Sequence, residues 1–175
     1  MWTAILASLI TGSAAVAGVA LTQRRHSKTV SEQLMHATEE ANRAVRRDAY
    51  ARWLTGTDGW SVAIEQMYAS SVLLGDGPVN VLIRGGSEEE TKVADQCFSR
   101  ISEPRRQAVA AKHIVDVVSG ANVRQSIGDA HAAIQNWQLH IGKAEYPEAG
   151  AEEAKYKDLR KAAIELMRED VGIGE

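Results

Sequence analysis

One cysteine, Cys97, is all the thiol the chain has, so it holds no internal disulfide and no cysteine-built zinc site. Its bland role is that of a small buried hydrophobe. Aromatic residues make up only 5% of the 175 residues, with a single Phe, so a core must rest on Ala, Val, Ile and Leu. Prolines number three, which leaves long stretches free to be helical. The net charge of −3 gives no general pull toward nucleic acid, and none is expected as a partner. The motifs of common catalytic sites are missing too. No Glu-x-x-His occurs for a dimetal bundle site, no Gly-x-x-x-x-Gly-Lys for a phosphate loop, and no Gly-x-Ser-x-Gly elbow for a nucleophile. No catalytic residue, cofactor or metal ligand is assigned, and an enzyme is the weakest class.

The first charged side chain appears only after residues 2–21, an uncharged stretch. As a helix it would reach about 30 Å, the thickness of a bilayer core. Arg24, Arg25 and Lys28 follow at once, and basic residues on that flank place it in the cytoplasm. The expectation is a single-pass anchor over 1–22 in the inner membrane, N-terminus outside, with the lipid bilayer as a partner. A cleaved signal peptide would want its positive charge before the apolar run. Ala4, Ser8 and Gly12 are spaced by four, as are Ala14 and Gly18. Small residues at that spacing let two membrane helices approach closely, so a homo-oligomer is a second expectation.

From 23 to 57 the residues predict a long juxtamembrane helix. Val30, Leu34, Ala37, Ala41 and Ala44 step by 4, 3, 4, 3, a heptad-like stripe of coiled-coil type. Gly56 and Gly59 either break this helix or sit within it at about 1 kcal/mol each. The remainder, 58–175, reads as a helical domain. Trp60, Ile64, Met67 and Ser71 share a face. After the turn Gly75-Asp76-Gly77-Pro78, Val79, Val81 and Ile83 alternate with polar or outward residues, so 72–84 could form a hairpin. Ser87 and Glu90 make a capping box for the next helix, which Pro104 interrupts or restarts. The clearest amphipathic stripe is Val123, Ile127, Ala130, Ile134, Trp137 and Ile141. A last helix is expected from about Ala151, with Tyr156, Leu159, Ala163 and Leu166 facing inward. The fold class is all-α: an N-terminal transmembrane helix continuing into a long helix, then an antiparallel helical bundle with at most one short β-hairpin.

Isolated His and carboxylate pairs read as surface chemistry. His36 lies near Glu32, Glu39 and Glu40 on a polar face, and His113 near Asp116. His131 and His140 are nine apart, on opposite sides of a helix, and both read as neutral surface histidines. Gly85-Gly86-Ser87 could cradle a phosphate, but Glu88, Glu89 and Glu90 follow and repel one.

The basic flank, Arg46-Arg47-Asp48-Ala49-Tyr50-Ala51-Arg52-Trp53-Leu54 and the closing Ala162-Ala163-Ile164-Glu165-Leu166-Met167-Arg168-Glu169-Asp170-Val171-Gly172 resemble a group of uncharacterised small bacterial single-pass membrane proteins with a helical cytoplasmic domain. That resemblance implies an architecture and no activity. The functional expectation is a membrane-tethered helical interaction or scaffold module with an unknown protein partner. The alternative is an oligomerising membrane effector acting through its single transmembrane helix.

Overall fold

A computed structural model describes the backbone of residues 2–173 and the side chains of residues 28–173. The described elements are helices α1 (Trp2–Leu74), α2 (Pro78–Arg84), α3 (Glu88–Val118), α4 (Ala121–Gly142) and α5 (Tyr146–Asp170), with no strand among them. The all-α class holds. The chain divides into two compact units, Met1–Arg43 and Ala44–Glu175.

In the first unit the described side chains are almost all exposed, including the stripe Val30, Leu34, Ala37 and Ala41. A polar helix of this kind draws support from ion pairs one turn apart, here Lys28 with Glu32 at 3.9 Å and Arg43 with Glu39 at 2.6 Å. Among the described residues no helix is long and apolar enough to cross a membrane. This finding corrects the single-pass, inner-membrane placement. Charged side chains recur through the described part of α1, from Lys28 and Glu32 to Arg46, Arg47 and Asp48, and a bilayer core would exact several kcal/mol for each. The proposed anchor over 1–22, with Ala4, Ser8, Gly12, Ala14 and Gly18, lies outside the described side chains, as do Arg24 and Arg25.

The second unit is a four-helix bundle assembled from heptad stripes. Among the described residues of α1 the buried side chains include Trp53, Thr57, Trp60, Ile64, Met67 and Ser71, stepping 4, 3, 4, 3, 4. On α3 they are Ala94, Cys97, Ile101, Ala108, Ala111 and Val115. All six positions of the α4 stripe are buried, and α5 contributes Ala149, Tyr156, Ala163 and Met167. Steps of three and four keep one seam of each helix on the bundle axis. Short connections at 119–120 and 143–145 make consecutive long helices antiparallel. Cross-links fix the register. Arg46 and Tyr50 of α1 meet Asp170 at the end of α5, while Asp58 meets Arg160 a few turns earlier in α5. The main chain of α1 passes against that of α3 where Gly56 faces Ala108.

Three local readings change. Residues 72–84 form no hairpin: α1 runs to Leu74, and 78–84 is the helix α2. Pro78 occupies the first turn, where its fixed φ suits a helix and its missing N–H costs nothing, and Gly77 before it is extended. Pro78 and Val81, three apart, are both buried, which is helical rather than alternating spacing. Pro104 lies inside a continuous α3, its ring packed beside Gly59 of α1. Gly120 is the N-cap of α4, which has no side-chain cap. Pro147 sits in the first turn of α5, which therefore starts at Tyr146 rather than near Ala151. The capping box at Ser87 and Glu90 is present, with Ser87 Oγ accepting from the Glu90 N–H and Glu90 accepting from the Ser87 N–H at 2.7 Å.

Candidate functional site

Three places in the second unit combine chemistry with geometry. The first is internal. His131 is 6% exposed, which corrects its reading as a surface histidine. Its ring sits edge-on to Trp60, centroids 5.4 Å apart, and its Nδ1 is buried without a hydrogen-bond partner. The Trp60 Nε1–H donates to Gln138 Oε1 at 2.9 Å, and the Arg105 guanidinium lies 5.9 Å from the Trp60 ring centroid. Burial, then the positive charges of Lys112 and Arg105, pull the His131 pKa down to about 4, with His113 adding to the fall and Asp116 opposing it. The imidazole is therefore neutral in the folded chain at pH 7.

That shift fixes a sign. Unfolded, the ring takes a proton near its ordinary 6.5; folded, it refuses one down to about 4. The stabilisation is complete above pH 6.5 and falls away as the pH drops toward 4. At pH 4.5 the loss from this one group is about 2 kcal/mol relative to pH 7. Urea midpoints of the wild type and His131→Leu at both pH values check this. The variant is expected to lose about 2 kcal/mol less on acidification, and equal losses would refute the assignment.

The second place is a pocket of about 280 Å³ among α1, α4 and α5. Tyr68 (α1), Trp137 (α4) and Tyr146 (α5) supply its aromatic walls, Ile141, Ala149 and Gly150 complete the lining, and Glu65 and Glu153 bring carboxylates. Tyr68 and Tyr146 meet edge to face at 5.4 Å, and one side of Trp137 stacks on Tyr156 at 6.2 Å. Lys157 donates to Glu153 at 2.5 Å, and Glu153, then Glu65, raise its pKa.

The third place is a surface. Around the junction of α1 and α2, Leu73 is 88% and Ile83 79% exposed, and Val72 and Leu82 are exposed beside them in sequence. The same junction is stiff underneath. Asp76 accepts from the Gly77 N–H at 2.7 Å and from Asn80 at 2.9 Å; Asn80 also donates to the Lys143 carbonyl, and Arg84 joins Asp76 to Glu90. These contacts lower the pKa of Asp76, Asn80 contributing most, and hold Glu90 down to about 2, with Arg84 the main cause.

Of the residues singled out from sequence, Lys28 is exposed and paired with Glu32. His36 is exposed, Asp116 pairs with Lys112 at 2.7 Å rather than with His113, and His140 meets Glu145 at 2.7 Å. No group of three His, Cys, Asp or Glu among the described residues could hold a metal ion. The pocket was missed because its walls come from three helices, α1 being remote in sequence from α4 and α5, at positions whose spacing marks nothing. No family model, curated protein or solved structure matches the chain.

Proposed function

We propose that the chain is a helical interaction module that binds a second copy of itself through the aliphatic corner where α1 gives way to α2. The observation that carries this reading is the exposure of Val72, Leu73, Leu82 and Ile83 on a junction braced by Asp76, Asn80, Arg84 and Glu90. Large aliphatic side chains left exposed on both sides of a braced turn are a contact site in want of a cover. Asp76, Arg84 and Glu90 are already paired with one another, which removes part of the charge near the corner from the field that two copies would meet. A patch that is its own partner needs only a two-fold axis.

Four side chains are well short of the roughly 800 Å² per partner that a stable interface buries, so the association is weak. Sedimentation velocity on the full chain, at loadings up to about 100 µM where weak dimers of this size class populate, tests it. The sedimentation coefficient is expected to rise with concentration, and Leu73→Asp/Ile83→Asp to abolish the rise while far-UV circular dichroism stays helical. A concentration-independent monomer, or a double variant that associates like the wild type, contradicts the reading.

A further inference from the structure

The pocket among α1, α4 and α5 is a site of a different kind from the aliphatic corner, because it is concave and carries acid at an aromatic rim. Its volume, about 280 Å³, lies at the lower edge of ligand pockets and suits a small molecule rather than a peptide. Three rings line it, and a ring presents a negative face to a cation. Glu65 and Glu153 add two formal negative charges. One resident cation already answers them: the Lys157 ammonium lies 2.5 Å from Glu153 and feels Glu65 as well. Glu65 has no such short ion pair, so the rim keeps negative charge in excess.

Trp137 is held by its stack on Tyr156 and by burial in the core, so that wall is in place before any ligand arrives. Gly150 presents no side chain, and an added Cβ there would meet nothing within 4 Å, which leaves the mouth open. A primary ammonium would forfeit strong hydration on entering such a site. A quaternary one is weakly hydrated and matches aromatic walls with acid at the edge. We propose that this pocket binds a small quaternary ammonium compound, its alkylated nitrogen against Tyr68, Trp137 and Tyr146 and its charge balanced by Glu65 and Glu153.

Choline and its uncharged carbon isostere, 3,3-dimethylbutan-1-ol, are the probes. The full-length chain is titrated with each, and the indole N–H resonance of Trp137 is followed by ¹H–¹⁵N NMR, assigned through Trp137→Phe. Choline is expected to shift that resonance saturably, and the alcohol to bind at least about fivefold more weakly. Tyr68→Ala and Glu65→Gln, both at exposed positions, are each expected to weaken choline by about threefold. Lys157→Met is expected to act the other way and tighten it, because it removes the internal competitor for Glu153. Equal affinity for choline and the alcohol, choline binding unmoved by Lys157→Met, or no saturable shift at all would each overturn the proposal.

Discussion

Trp60→Ala is expected to cost about 3–5 kcal/mol of stability. Trp60 is fully buried midway along the α1 stripe and touches three of the four long helices' worth of chemistry: its own packing on α1, Arg105 of α3 over its ring, and His131 and Gln138 of α4. Truncation leaves a cavity of indole size, which the surrounding α-helices cannot close without losing their heptad register. It also strands the Gln138 carbonyl, which loses its donor. Trp60→Phe separates the two parts. It keeps a six-membered aromatic ring in the seam while losing the N–H and the rest of the indole, so its cost should fall clearly below that of Trp60→Ala. Urea denaturation of the three proteins at pH 7 measures both. Equal costs for Phe and Ala would mean that the hydrogen bond, rather than packing, dominates.

Gly56→Leu is expected to cost about 3 kcal/mol by overpacking. Glycine ordinarily weakens a helix by about 1 kcal/mol, so an interior glycine in α1 needs a reason. The reason is contact between main chains. A Cβ at Gly56 would stand 2.7 Å from the Ala108 nitrogen and 2.8 Å from its Cα, both backbone atoms that cannot swing aside. Any larger residue forces α1 and α3 apart. Gly128 of α4 is the internal control, since a Cβ there meets nothing within 4 Å. Gly128→Ala should therefore stabilise the protein by about 0.5–1 kcal/mol through helix propensity alone. Thermal melts of the two variants are expected to move in opposite directions. A neutral Gly56→Leu would mean that α1 and α3 do not approach as closely as the geometry requires.

How far the fold could be read in the residues depended on the length of each signal. The α4 stripe spans five steps of three or four, and every one of its positions is buried, as its spacing foretold. The capping box at Ser87 was equally legible, because two side chains and one spacing define it. The stretch 78–84 was not, since seven residues hold barely two helical turns and cannot separate a period of 2 from one of 3.6. There the first-turn role of Pro78 was the better guide, and Pro147 at the start of α5 repeats the lesson. Pro104 shows the opposite, a break signal overridden by the packing of α3 along its whole seam. His131 misled because a polar residue next to a clean apolar stripe reads as its edge, while the bundle closes over it. The stripe at Val30 to Ala41 had heptad spacing but only two large side chains, and spacing without bulk leaves it exposed.

Single-cysteine cross-linking tests the interaction reading most directly. In a Cys97→Ala background, which removes the one native and buried thiol, a reporter is placed either on the aliphatic corner as Ile83→Cys or on the exposed heptad stripe as Leu34→Cys. If two copies meet through the junction of α1 and α2, oxidation links Ile83→Cys into a dimer severalfold faster than Leu34→Cys. Equal rates, or a faster stripe, would contradict that account and move the contact elsewhere on the chain.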